Sequence, residues 1–141
     1  MVIFVMGEMA HMLWVFIGGG LGSMLRLLVS AQLQAAGGGF PLGTLTVNVF
    51  GCLAIGALAG FPNTTQNAHG YFTYPYRLFL ITGFLGGFTT FSSYAFESFW
   101  LFKNGESEKA LWNLAMNVIL GMIAVLLGFY CMRFVLGTRQ G

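Results

Sequence analysis

Residues 83–94 read Gly83-Phe84-Leu85-Gly86-Gly87-Phe88-Thr89-Thr90-Phe91-Ser92-Ser93-Tyr94, and they interrupt an apolar run that extends over about 76–102. The run is long enough for a helix to cross a membrane, which takes about 20 apolar residues for a hydrocarbon core of about 30 Å. Adjacent glycines followed by Thr89, Thr90, Ser92 and Ser93 near its middle have two physical readings. In one, the helix breaks there, and irregular backbone at that depth is tolerated only where protein or water covers it. Carbonyls freed at such a break suit Na⁺, a hard cation that prefers oxygen and the negative end of a half-helix. In the other, the helix is continuous, the glycines serve packing, and the hydroxyls bond back to the preceding turn.

Outward from this stretch lie three more apolar runs, at about 12–33, 42–61 and 110–136. The whole chain is 57% hydrophobic and 7% charged over 141 residues, against about 25% charged in a soluble domain. It cannot dress a wetted surface, and its apolar content excludes disorder. Four transmembrane helices in a single domain over 1–141 are expected. A transmembrane barrel needs alternating segments of about ten residues, and these runs are longer and do not alternate. The connections at 35–41, 62–75 and 103–109 carry glycine, proline, amides or charges and are turns rather than linkers.

Chemistry is excluded on similar grounds. Six Lys plus Arg make no basic patch for nucleic acid. Cys52 and Cys131 lack metal-ligand spacing and read as packing residues. No His/Cys/Asp cluster, phosphate loop or nucleophile–base pair is present, so the chain is not expected to be an enzyme. No Lys or Arg precedes Arg26, so a signal peptide is not expected and the first run stays as a span.

Glycine spacing and charge placement say more. Gly18/Gly22, Gly56/Gly60 and Gly83/Gly87 are small-xxx-small pairs in three different runs, a pattern that lets helix backbones approach closely. With four crossings, Arg77, Arg133 and Arg139 fall on one side, and Lys103, Lys109 and the nearby Arg26 on the other. Orientation follows a bias in Lys and Arg, and here the sides nearly tie. Such a chain either inserts both ways and pairs as an antiparallel homodimer, or takes an orientation set by a few individual residues.

Polar residues within the runs complete the inventory. Asn48 lies about two turns into its run, where an amide is costly unless it meets a partner or a cavity; it reads as an anion donor or as a helix-to-helix hydrogen bond. Asn113 and Asn117 are four apart and share a helix face. Arg26 either lines an anion vestibule or snorkels to the interface. Glu97 either pairs with a cation or reaches headgroups.

Pro41-x-Gly43-Thr44-Leu45-x-Val47-Asn48, with Gly83-x-x-Gly86-Gly87-x-Thr89-Thr90-Phe91-Ser92 and Gly18-Gly19-x-x-Gly22-x-x-x-Arg26, resembles the bacterial fluoride channel family (Fluc, also called CrcB). The resemblance implies an all-α membrane protein of the cell inner membrane, with four spans and a broken third helix. It implies an antiparallel dual-topology homodimer with two fluoride pores and one central structural Na⁺. By motif position, Gly86 and Thr89 would hold that Na⁺ through backbone carbonyls. Asn48, Phe91, Ser92, Ser93, Arg26 and Asn117 would line the pores, with Tyr94 where the family usually carries phenylalanine. The main rival is a dual-topology, proton-coupled small multidrug exporter, which needs a carboxylate inside the first span. Glu8 lies at or before the start of that span.

Overall fold

The computed structural model describes residues 2–34, 36–61 and 74–137. Regular structure among them is entirely helical: α1 (Val2–Gln34), α2 (Leu42–Ala59), α3 (74–88), α4 (Phe91–Lys103) and α5 (Ser107–Gly137). Four stretches are long and apolar enough to cross a membrane: Met9–Gln34, Leu42–Ala59, Pro75–Lys103 and Ser107–Gly137. The connection over 62–73 and the terminal Arg139 lie outside the described residues.

The third crossing is interrupted. Within α3, Tyr74–Arg77 is α-helical, Leu78–Leu85 winds as a π-helix, and Gly86–Phe88 returns to α geometry. The chain then becomes extended at Thr89 (φ −86°, ψ 158°) and Thr90 (φ −152°, ψ 113°) before α4 begins. Of the two readings of residues 83–94, the broken helix is the one observed.

The helices pair α1 with α3, and α2 with α5, while α4 lies against α5. Side chains that face away from these contacts are large and apolar: Met12, Phe16, Leu27, Leu28, Val118 and Phe134 are all exposed. In lipid such a surface is already in its preferred solvent. Helix association then rests on close packing and hydrogen bonds rather than on hydrophobic burial.

Glycine supplies that close packing. A Cβ at Gly18 would strike the Phe79 carbonyl, and one at Gly22 the Phe84 carbonyl. On the facing helix, a Cβ at Gly83 would meet Val15 O at 2.9 Å, and one at Gly87 would strike Gly19 O. The first and third glycine pairs therefore interlock across α1 and α3. Gly56 and Gly60 approach the carbonyls of Val125 and Phe129 on α5, and Gly128 returns the contact against Leu53 and Ala57. Short connections close the bundle: Gly38 (φ 55°) and Gly39 (φ 89°) turn the chain between α1 and α2, and Gly105 (φ 82°) between α4 and α5.

A paired substitution tests this packing. Gly22→Val drives a branched side chain into the α3 backbone and should destabilise by about 1–3 kcal/mol or more, as overpacking does. Gly20→Ala meets nothing within 4 Å and should be neutral or slightly stabilising. Thermal unfolding of the purified protein in detergent distinguishes them.

Candidate functional site

The site grows from the break. A helix that starts in mid-membrane needs its first donors satisfied, and Thr90 serves as the N-cap of α4: its Oγ1 accepts from the Ser93 N–H at 3.2 Å, an interaction suited to Thr at that position. The Thr90 N–H lies ahead of α4 and has no helical acceptor, and at this depth water is not freely available. Asn48 of α2 meets it and also reaches the Thr90 carbonyl. Its Oδ1 accepts from the Thr90 N–H at 2.8 Å, and its Nδ2 donates to Thr90 O at 3.2 Å. The side-chain amide thus stands in for a neighbouring peptide unit.

The second Asn48 N–H donates to Asn117 Oδ1 at 2.9 Å. Asn117 donates in turn to Asn113, at 3.0 Å to its backbone oxygen and 2.9 Å to Oδ1. Asn113 donates to Ser98 Oγ at 2.9 Å, and Ser98 to Tyr94 O at 2.8 Å. Asn48 therefore makes the helix-to-helix hydrogen bond, and both of its N–H groups are committed within the protein.

Around this frame lies an open groove of about 470 Å³. Asn48, Gly51, Cys52 and Ile55 line it from α2; Ile81, Leu85 and Gly86 from α3; Thr89 and Thr90 from the break; Phe91 and Tyr94 from α4; Asn117 and Val118 from α5. Phe91 is 78% exposed. Its ring meets Tyr94 edge-on, with centroids 5.5 Å apart and planes at 63°. The Tyr94 ring is buried, and its hydroxyl donates to Leu114 O at 3.4 Å.

Two carbonyls at the break are distinctive. A continuous helix would give the Thr90 N–H to Gly86 O, but that donor goes to Asn48 instead. Gly86 is exposed and lines the groove. Thr89 is extended, and its hydroxyl donates to Leu85 O at 2.9 Å, so that hydroxyl is occupied. Among the described residues no three His, Cys, Asp or Glu side chains converge; a cation at the break would rest on main-chain oxygen.

The groove wall thus collects Asn48, Gly86, Thr89, Phe91, Tyr94 and Asn117 from the residues singled out in the sequence. It does not include Arg26, Ser92 or Ser93. Arg26 is half-buried on α1, one turn beyond Gly22. Ser92 and Ser93 sit in the first turn of α4 beside Thr90, with oxygen separations from its hydroxyl of 3.3 and 3.0 Å.

Three roles escaped the sequence reading. Thr90 as a cap was signalled by a threonine ahead of a helical run. Ser98 had no signal, because a serine in a helix is ambiguous until its partner on another helix is known. Glu97 pairs with no cation among the described residues; its Oε1 accepts from Thr44 Oγ1 at 2.6 Å. Thr44 lies one turn before Asn48, so one face of α2 makes both contacts with α4 and the break.

These features define a multi-pass, all-helical membrane protein whose third crossing breaks beside a largely apolar groove that includes a few amide and hydroxyl groups and two aromatic rings. The family model described as CrcB-like protein, Camphor Resistance (CrcB), matches residues 13–129, and the chain belongs to that family. It is 44% identical over 126 residues to a Rhizobium etli protein named fluoride-specific ion channel FluC, covering 89% of this chain and 98% of the relative. A Rhizobium meliloti protein of the same name is 44% identical over 126 residues, with the same coverage. One from Dehalococcoides mccartyi is 38% identical over 125 residues, covering 86% of this chain and 92% of the relative.

Asn48→Asp tests the amide's role at the break. The substitution turns two donors into an acceptor facing Thr90 O and Asn117 Oδ1, so each orphaned group should cost about 1–3 kcal/mol. A lowered thermal unfolding midpoint in detergent is expected; an unchanged one would mean that Asn48 does not hold the break.

Proposed function

We propose that the protein is a fluoride-selective channel of the inner membrane that works as an antiparallel homodimer and lets fluoride leave the cell down its electrochemical gradient. The observation that carries this reading is the largely apolar groove at the break, into whose wall Asn48, Thr89, Thr90, Asn117 and the rings of Phe91 and Tyr94 are set with no charged side chain, in a chain 38–44% identical to proteins named fluoride-specific ion channels. It is channel chemistry, without the nucleophile or acid–base set of an enzyme.

Fluoride is small and strongly hydrated, so a pore must replace its water with other donors. Ser92 and Ser93 offer hydroxyls at the start of α4. Phe91 and Tyr94 offer ring edges, which are electropositive. Asn48 and Asn117 shape the wall, since their N–H groups are held by Thr90, Asn117 and Asn113. Arg26 raises the local potential at the approach, without a cation in the groove wall to trap the ion.

A second copy closes the pore. Each chain's groove is open and leaves Phe91 protruding, and the near-tie of Arg77, Arg133 and Arg139 against Arg26, Lys103 and Lys109 favours insertion in both directions. The carbonyls of Gly86 and Thr89 suit a Na⁺ on the two-fold axis, where four oxygens would converge from two chains. Such an ion would be structural, neutralising the half-helix ends that meet there. A proton-coupled exporter fits less well, since Met9–Gln34 carries no carboxylate.

Liposomes containing the purified protein should release fluoride and retain chloride; no fluoride release would overturn the proposal. Flux should fall after prolonged replacement of Na⁺ by a larger cation, without Na⁺ itself being carried. Thr89→Ser, which keeps the main chain and the hydroxyl, should be mild, whereas Gly86→Val should abolish flux by crowding the axis.

Orientation gives a separate test. Wild-type chains should label from both sides of the membrane in cysteine-accessibility experiments. Two or three lysines added to the connections on one side should fix a single orientation and remove flux unless an oppositely biased chain is co-expressed.

A further inference from the structure

The hydrogen bonds leaving Asn48 do not end in the groove. They run from Asn48 to Asn117, then to Asn113, then to Ser98, and finish on the carbonyl of Tyr94. Tyr94 lies four residues beyond Thr90, where the series began. The circuit leaves the break on α2, crosses α5 and returns to the first turn of α4.

Its direction is fixed. The Thr90 N–H must be accepted, which points Asn48 Oδ1 at the break and leaves Nδ2 to donate onward. That turns Asn117 Oδ1 toward Asn48 and its Nδ2 toward Asn113. The remaining Asn113 donor needs an acceptor, and Ser98 Oγ supplies it while its own proton goes to Tyr94 O. Each group has one orientation that satisfies its neighbours, and reversing any amide would face donor to donor or acceptor to acceptor. Asn113 is 0% exposed and Ser98 3%, so water cannot substitute for a lost partner. Neither residue lines the groove.

We infer that Asn113 and Ser98 are positioning residues: through Asn117 they fix the rotamer of Asn48, and through it the extended backbone at Thr89–Thr90 and the placement of Phe91 and Tyr94. The inference rests on the groove being half of a fluoride pore only for its consequence on flux; the circuit itself is independent of the ion. Ser98 then acts on Thr90 although the two side chains share no hydrogen bond.

Amide hydrogen exchange of the full-length protein in liposomes reads the circuit, and fluoride release from the same liposomes reads its consequence. Ser98→Ala should speed exchange across residues 90–94 by about tenfold, the equivalent of one buried hydrogen bond, and lower fluoride flux. Val47→Ala, a fully buried position outside the circuit, controls for general loosening. The double variant Asn113→Leu/Ser98→Ala removes both partners of a buried bond, which can restore stability, yet leaves Asn117 with one acceptor fewer. It should unfold close to the wild-type temperature while exchange at residues 90–94 stays fast and flux stays low. Exchange there no faster than in Val47→Ala, or recovering together with the unfolding temperature, would overturn the inference. Wild-type liposomes that pass no fluoride would instead refute the channel reading and leave the exchange result to stand or fall alone.

Discussion

The structure depends on one exchange of hydrogen bonds, between the side-chain amide of Asn48 and the peptide groups of Thr90. A helix interrupted within a bilayer leaves polar backbone where little can solvate it, each group costing several kcal/mol if it stays bare. The break is tolerable because an amide on a neighbouring helix offers one donor and one acceptor at peptide-like spacing. Everything the groove contains follows from that. Gly86 O is left without the helical donor it would otherwise receive, Thr89 is extended, and a new helix starts at Phe91 with its ring outward. The polar groups are not inserted into a finished bundle; they are the condition on which the bundle can contain a gap.

Placing that amide within reach of the break takes close packing. Lipid solvates leucine and phenylalanine as well as another helix does, so the exposed apolar faces of α1 and α5 provide no drive to assemble. The facing glycines instead allow α1 to run along α3 and α2 along α5 at backbone contact. Gly51 carries this logic into the site, because a Cβ there would collide with the Thr89 methyl group. The small residues and the polar circuit are therefore one design, with glycine setting the distance and asparagine using it.

Much of this was legible in the residue order. The four apolar runs give the crossings, since length and composition alone decide whether a helix suits a membrane. The spacing of Gly18 with Gly22 and of Gly83 with Gly87 gave the packing faces, although not that the two pairs would meet each other. Residues 83–94 pointed to a break without proving one, because glycine and serine are also compatible with a continuous membrane helix. What stayed hidden was partnership. Asn48 could be placed at depth but not matched to Thr90, 42 residues away. Glu97 read as pairing with a cation or reaching headgroups, and its Oε1 accepts from a threonine hydroxyl on α2. Hydrogen-bond partners between helices depend on rotation about each helix axis, and a hydrophobic pattern fixes that rotation poorly when apolar side chains face every direction.

The proposed conduction path follows from the same economy of charge. A lysine or arginine in the groove would bind a small anion tightly and hold it, whereas neutral donors replace hydration in small increments that the ion can leave. Arg26, one turn beyond Gly22 on α1, is accordingly absent from the wall. Tyr94 extends the pattern. Its ring edge can face the groove, while its hydroxyl is drawn to the Leu114 carbonyl on α5. The added donor is thus tied to the main chain of a neighbouring helix, and in the proposed path Tyr94 would offer an ion an aromatic edge like that of Phe91. A hydroxyl that would alter the site if it pointed inward is made part of the scaffold, by the same helix that anchors Asn48 through Asn117.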